Sequence, residues 1–257
     1  MKKLLWALPL PAVILAAWSL AVSQKLLTLI PAPYEVLLAL FDFTFGTLYD
    51  DAYSGTLLVH LGASAGRVLG GFFIAAALAV PLGILLARYA RFSLLVEPTL
   101  GVLRPIPVTA WVPLILIVFG LGSHSAIILI FIGSFFPIFI NTLLGVKRVP
   151  PRLIEAAQML GTGEKEMLYK VILPAALPSV FAGMRIALGL AWVVVVVGET
   201  VGVPNGLGSV ITEAREVSRT EIIITGMIFI GLAGLLTDKL LTEGLRKALG
   251  NRPLLPS

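Results

Sequence analysis

The sequence predicts an all-α protein that crosses a membrane six times, and three observations carry that prediction. Of 257 residues, 58% are hydrophobic and only 13% charged, with a mean hydropathy of +1.00. A soluble domain carries roughly 25% charged and about 45–50% apolar residues. Six stretches approach the ~20 apolar residues that a helix needs to cross the hydrocarbon core: 4–22, 61–87, 99–120, 124–146, 178–200 and 222–242. Basic residues gather between alternate stretches, and that bias decides which loops stay in the cytoplasm. The chain has no cysteine, so disulfides and thiolate metal sites are excluded. A net charge of +5 would suggest nucleic acid in a soluble chain; here its placement marks topology.

The first stretch follows Lys2 and Lys3 and ends near AVSQ, as a signal peptide would. Its apolar run exceeds the usual ~7–15-residue core, so we read it as a retained first span. Residues 24–56 follow as an external linker holding Glu35, Asp42, Asp50 and Asp51 against Lys25. Within it, LLALF suggests a short interfacial helix, and the acidic residues read as a solvated loop or a docking surface. The second stretch opens with GASAG, in which Gly62, Gly66 and Gly70 form a stripe that lets helices approach closely. The same letters match a nucleophile elbow and would make Ser64 a hydrolase serine. That motif needs a strand-to-helix turn and a following acid and His, whereas here it opens an apolar helix. The third stretch is interrupted by Pro105, Pro107 and Pro113, each lacking a backbone donor. His60 and His124, the only histidines, read as interfacial polar residues rather than metal ligands.

With the N-terminus inside, the exterior holds only Lys25, Arg215 and Arg219, apart from Arg67 in the outer part of the second span. Arg88, Arg91, Lys147 through Lys170 and the Lys239–Arg252 tail all fall inside. Both termini are thus expected in the cytoplasm, as is the segment EAAQMLGTGEKEMLYKVILP (155–174). There Leu153, Ala156, Ala157 and Leu160 share one helix face. Gly161 suits a left-handed helix end. Thr162 is a candidate N-cap for a second helix carrying Met167, Leu168 and Val171, closed by Pro174. Such a stripe fits either a partner's groove or the membrane surface.

The spacing Glu155-Ala156-Ala157, three residues, Gly161, nine residues, Val171-Ile172-Leu173-Pro174 resembles the EAA loop of ABC importer permeases, with Val171 where that family has Ile. LRPIPVTAWVPLILIVFGLG (103–122), FFPIFINTLLGVKRVPPRLIEAAQMLG (135–161), ALPSVFAGMRIALGLAW (176–192), NGLGSVI (205–211) and PAPYEV (31–36) resemble the nitrate, sulfonate and taurine branch. The resemblance implies a type I importer transmembrane fold with a MetI-like core. Residues 1–56 would form a first helix and external linker. Residues 57–250 would form the permease domain, with a coupling segment at 147–177. It further implies a homodimer in the cell inner membrane, two ABC ATPase subunits and an external (periplasmic or extracellular) substrate-binding protein. Glu155, Ala156, Ala157, Leu160, Gly161 and Thr162 would dock on the ATPase. The chain has no P-loop GxxxxGK[ST], so ATP and Mg would be bound by that partner and not here.

Ionisable residues in spans are costly and usually functional. Arg104, Arg185 and Glu199, with Asn141 and Trp111, are candidates for a translocation path favouring an anion. The arginines, Arg67 included, could instead snorkel to headgroups. The function expected is import of a small anion such as an aliphatic sulfonate, taurine, nitrate or bicarbonate by alternating access, without covalent chemistry. The competing readings are an ATPase-independent transporter or channel and an intramembrane serine protease using Ser64.

Overall fold

A computed structural model describes residues 9–24 and 29–249. The regular elements among them are helical: α1 (Pro9–Ser23), α2 (Pro33–Phe45), α3 (Leu57–Arg88), α4 (Ala90–Leu103), a 3-10 turn (Val108–Trp111) and α5 (Val112–Phe119). Then come α6 (Ser123–Lys147), α7 (Pro151–Met159), α8 (Glu164–Glu199), α9 (Leu207–Glu216) and α10 (Thr220–Leu249).

Four helices, α3, α6, α8 and α10, are long and apolar enough to cross a membrane, and α4 with the 3-10 turn and α5 makes a fifth crossing if taken as one. That pair bends by 88°, at the break containing Pro105 and Pro107. Pro113 does not interrupt it, because it sits in the first turn of α5, where a missing N–H has no helical partner to lose. The first expected span, 4–22, lies partly outside the described residues. Its described part, α1, has 15 residues and falls short of a full crossing.

The chain divides into two compact units. In the unit that combines the chain up to Ser64 with Pro204–Leu232, α2 turns Val36, Ala39, Asp42 and Phe43 inward. These positions recur every three to four residues, so one face is buried. Phe43 is fully buried, stacked on His60 at 6.2 Å and set against Phe229 at 5.8 Å. Asp42, expected in a solvated loop or a docking surface, is 3% exposed. Its Oδ1 accepts the Leu48 and Tyr49 N–H groups at 2.8 and 2.9 Å, and the Ser54 hydroxyl lies 2.6 Å from Oδ2. The carboxylate thus folds the following loop back onto its own helix. Asp51 in that loop is held by the Arg219 guanidinium at 2.8 Å.

In the other unit, α6 and α8 pack along each other. Their backbones approach at glycines: a methyl on Gly183 would lie 2.6 Å from Asn141 Cβ, and one on Gly145 2.6 Å from Ser179 Cβ. Helix α3 closely approaches α6 at Gly71, where a methyl would meet Ile130 Cγ2 at 2.6 Å, and at Gly83, where it would meet Thr142 Cβ at 2.9 Å. The expected stripe is therefore not the packing face within the chain. Among the described residues nothing outside the helix's own neighbouring backbone lies within 4 Å of a methyl on Gly62 or Gly66, and one on Gly70 would only touch Ile127.

Candidate functional site

The segment between α6 and the apolar part of α8 is a short helix and a tight reversal. Pro150 leads into α7, with Pro151 pre-set for its first turn. Ala157 turns inward to a cluster with Val149, Met167, Ile172 and Ala176, against which Ile154 packs. Around it Leu153, Glu155 and Ala156 are exposed, with Met159 and Leu160 89% and 87% exposed. The end of α7 is a Schellman motif. Gly161 is left-handed at φ +75°, its N–H bonds Gln158 O at 2.9 Å, and Thr162 N–H bonds Ala157 O at 3.1 Å.

Three details differ from the expectation. The residue before α8 is Gly163, without a side-chain cap, because Thr162 is already committed to the reversal. Pro174 does not close a helix. A π turn over Met167–Ile172 precedes it, so its absent N–H falls where the ladder changes from π to α, and α8 runs on to Glu199. Met167 is buried in the chain's own cluster and Leu168 and Val171 pack against it, so the apolar stripe of that second helix is used internally. Of the four stripe residues before Gly161, only Ala157 is buried, and Leu153, Ala156 and Leu160 remain open.

Two of the translocation candidates meet. Arg104, at the C-terminus of α4, and Asn141 line one cleft of about 350 Å³ with Ile106, Phe136, Ile186 and Leu190. Asn141 Nδ2 donates to Pro137 O at 2.8 Å. Among the described residues no carboxylate lies within ion-pair distance of Arg104. A cation without a paired carboxylate on a largely apolar cleft attracts an anion.

The other candidates lie elsewhere. Arg185 is held in a two-pronged pair by Asp238, Nε to Oδ1 and Nη2 to Oδ2, both at 2.7 Å. Its charge is neutralised in place. Glu199 is 1% exposed and pairs with Arg67 at 2.5 Å, and Arg67 also reaches Ser123 Oγ at 3.1 Å. Arg67, 7% exposed, is thus an interior partner and not a snorkelling side chain. Trp111 is half-buried at the end of the 3-10 turn and does not line the cleft.

Sequence reasoning missed the task of His60 and Ser64. One helical turn apart on α3, they hold the NGLG turn: His60 Nδ1 accepts the Gly206 N–H at 3.1 Å and Ser64 Oγ accepts the Leu207 N–H at 2.8 Å. Their i, i+4 spacing was the available signal. Ser64 is fully buried within a helix, and no strand occurs among the described residues, so the turn that a nucleophile elbow requires is not formed here.

Residues 79–252 match the family described as "Binding-protein-dependent transport system inner membrane component". The chain is 42% identical over 243 residues to a Methanocaldococcus jannaschii protein named as an ABC transporter permease, covering 93% of this chain and 88% of that one. It is 34% identical over 229 residues to the taurine transport system permease protein of Escherichia coli, covering 88% and 82%. To the nitrate import permease protein of a Synechocystis strain it is 33% identical over 229 residues, covering 89% and 83%. A solved structure of the MetNI methionine ABC transporter, in an inward-facing conformation, matches with a TM-score of 0.59 at 20% identity, covering 75% of this chain and 95% of that chain. At that identity the likeness is one of fold, and it shows the MetI-type importer core.

Proposed function

The chain belongs to the family of binding-protein-dependent transport system inner membrane components and is a non-catalytic, membrane-embedded permease subunit of an ABC transporter; from that premise we propose that it imports a small anion. Taurine and nitrate are what two relatives are named for. An aliphatic sulfonate or bicarbonate belongs to the same chemical class. The cleft with Arg104 and without a facing carboxylate supports that class.

In this reading two copies of the chain enclose one path in the cell inner membrane, with both termini in the cytoplasm. Two ATPase subunits binding ATP and Mg engage α7 from the cytoplasm, and a substrate-binding protein delivers cargo from outside. ATP draws the α7 helices together and opens the path outward; hydrolysis returns it inward. The observation that carries the coupling role is the exposed apolar face of α7, ending at Met159 and Leu160 in a rigid reversal at Gly161. Glu155, Ala156, Leu160, Gly161 and Thr162 are the docking residues on this account, while Ala157, expected among them, packs inward against the chain's own cluster.

Reconstitution of the complex in vesicles with its ATPase and binding protein tests the proposal. ATP-dependent uptake of taurine, an alkyl sulfonate, nitrate or bicarbonate is expected. Glu155→Arg on the exposed side of α7 should lower that uptake by at least about tenfold, since tenfold is about 1.4 kcal/mol and a mismatched interface charge costs several, while ATP hydrolysis persists. Normal uptake with Glu155→Arg, or uptake with no ATPase present, would overturn it.

A further inference from the structure

The last turns of α3 and the first turns of α8 border an open groove of about 410 Å³ that belongs to neither the α7 face nor the Arg104 cleft. Its floor is apolar, formed by Pro81, Ile84 and Leu85 of α3 with Leu168 and Leu173 of α8. Its rim is cationic and aromatic: Arg88 and Lys165, with Tyr89 and Tyr169 58% and 68% exposed beside them. Among the described residues Glu164 is the one carboxylate at the groove, and its side chain is 93% exposed with Oε1 3.9 Å from Arg88 Nη2, the outer limit of an ion pair. Arg88, with five N–H donors, therefore keeps most of them available.

Depth orders these groups. Helix α3 is long and apolar enough to span the bilayer and ends at Arg88. At 1.5 Å per residue, Pro81 lies about 10 Å deeper than Arg88. The groove thus runs from apolar Pro81, nearer the middle of α3, to Arg88 at its end, and basic residues and tyrosines at a span's end suit the headgroup level. The π turn at Met167–Ile172 supplies Leu168 and Tyr169 to it, and such turns concentrate at functional positions.

We propose that this groove binds an anionic phospholipid of the leaflet at the Arg88 end of α3. Its phosphate lies between Arg88 and Lys165, and an acyl chain lies on Pro81, Leu85, Leu168 and Leu173. Bound there, the lipid joins the end of α3 to the start of α8 and steadies the π turn.

The assembled permease and ATPase complex, purified in detergent and offered phosphatidylglycerol or phosphatidylcholine, is read by native mass spectrometry. Phosphatidylglycerol is expected to be retained in preference. Arg88→Gln with Lys165→Gln should reduce retention about thirtyfold, the scale of two cations at an anionic lipid surface. Arg88→Lys with Lys165→Arg should keep it, and Leu85→Trp, at an open floor position and without a change of charge, should also lose it. Unchanged retention in the double Gln variant overturns the site. So does displacement of the lipid by inorganic phosphate, which marks a phosphate site only. Retention only after the ATPase subunits are removed also overturns it, because the groove would then belong to a protein interface.

Discussion

At Asp42, one carboxylate organises the loop that follows it, and the chemistry is pH-dependent. Burial pushes the carboxyl up, but the Ser54 hydroxyl and the Tyr49 and Leu48 N–H groups outweigh it and hold it below the ordinary value of 3.8. Asp51 behaves alike, with burial opposed by Arg219, the Tyr53 N–H and Ser54. A depressed folded pKa stabilises the fold above the unfolded value and loses that stabilisation as pH falls through the folded one. Acidification below about pH 4 is therefore expected to loosen residues 46–56, read as a lower hydrogen-exchange protection factor, relative to the intrinsic rate at that pH, at the Leu48 and Tyr49 amides. Asp42→Ala should produce the same loss of protection at neutral pH, costing about 1–3 kcal/mol locally through buried donors left unpaired. Slow exchange in that variant would contradict the role. Asp42 was legible in part, since it shares the α2 face of Val36, Ala39 and Phe43. Which donors it meets was not, because they lie six to twelve residues ahead in a loop without periodicity.

Among elements, prolines and glycines behave according to the turn in which they stand. Pro105 and Pro107 lie where the helix bends, Pro113 opens α5, and Pro174 is absorbed by a π turn, although all four lack the same N–H. A residue count shows where a proline lies but not whether the turn before it has widened. Glycines divide similarly. Gly71→Ala should lower unfolding stability in detergent by about 1–3 kcal/mol, the usual cost of overpacking, because its methyl would press on Ile130 and sit 2.8 Å from Ile127 O. Gly62→Ala has open space and should be neutral or slightly stabilising through helix propensity. Equal effects in the two variants would refute the assignment of Gly71 as the contact. The GxxxG spacing named small residues on α3 but could not show which side α6 covers.

At the scale of the molecule, Arg67 and Glu199 join α3 to α8 across 132 residues of sequence. Arg67→Met leaves the buried Glu199 carboxylate without this cation and should cost about 3–5 kcal/mol. Adding Glu199→Leu should recover much of that loss, because two apolar residues replace the pair. If thermal unfolding found the double variant no better than Arg67→Met, the coupling between them would be disproved. The sequence by itself determined the helical membrane class, four or five of the crossings, the bend at Pro105–Pro107, the reversal at Gly161 and the transporter family. Each of these is written in hydropathy, turn chemistry or spacing within a few tens of residues. Only the tertiary structure decided which polar groups are already engaged. Arg185 is neutralised by Asp238 and Arg67 by Glu199, His60 and Ser64 hold the NGLG turn, and Arg104 is left facing a cleft. The physical reason is that a charge's availability depends on partners brought near by folding, and those partners stand 53 to 146 positions away along the chain.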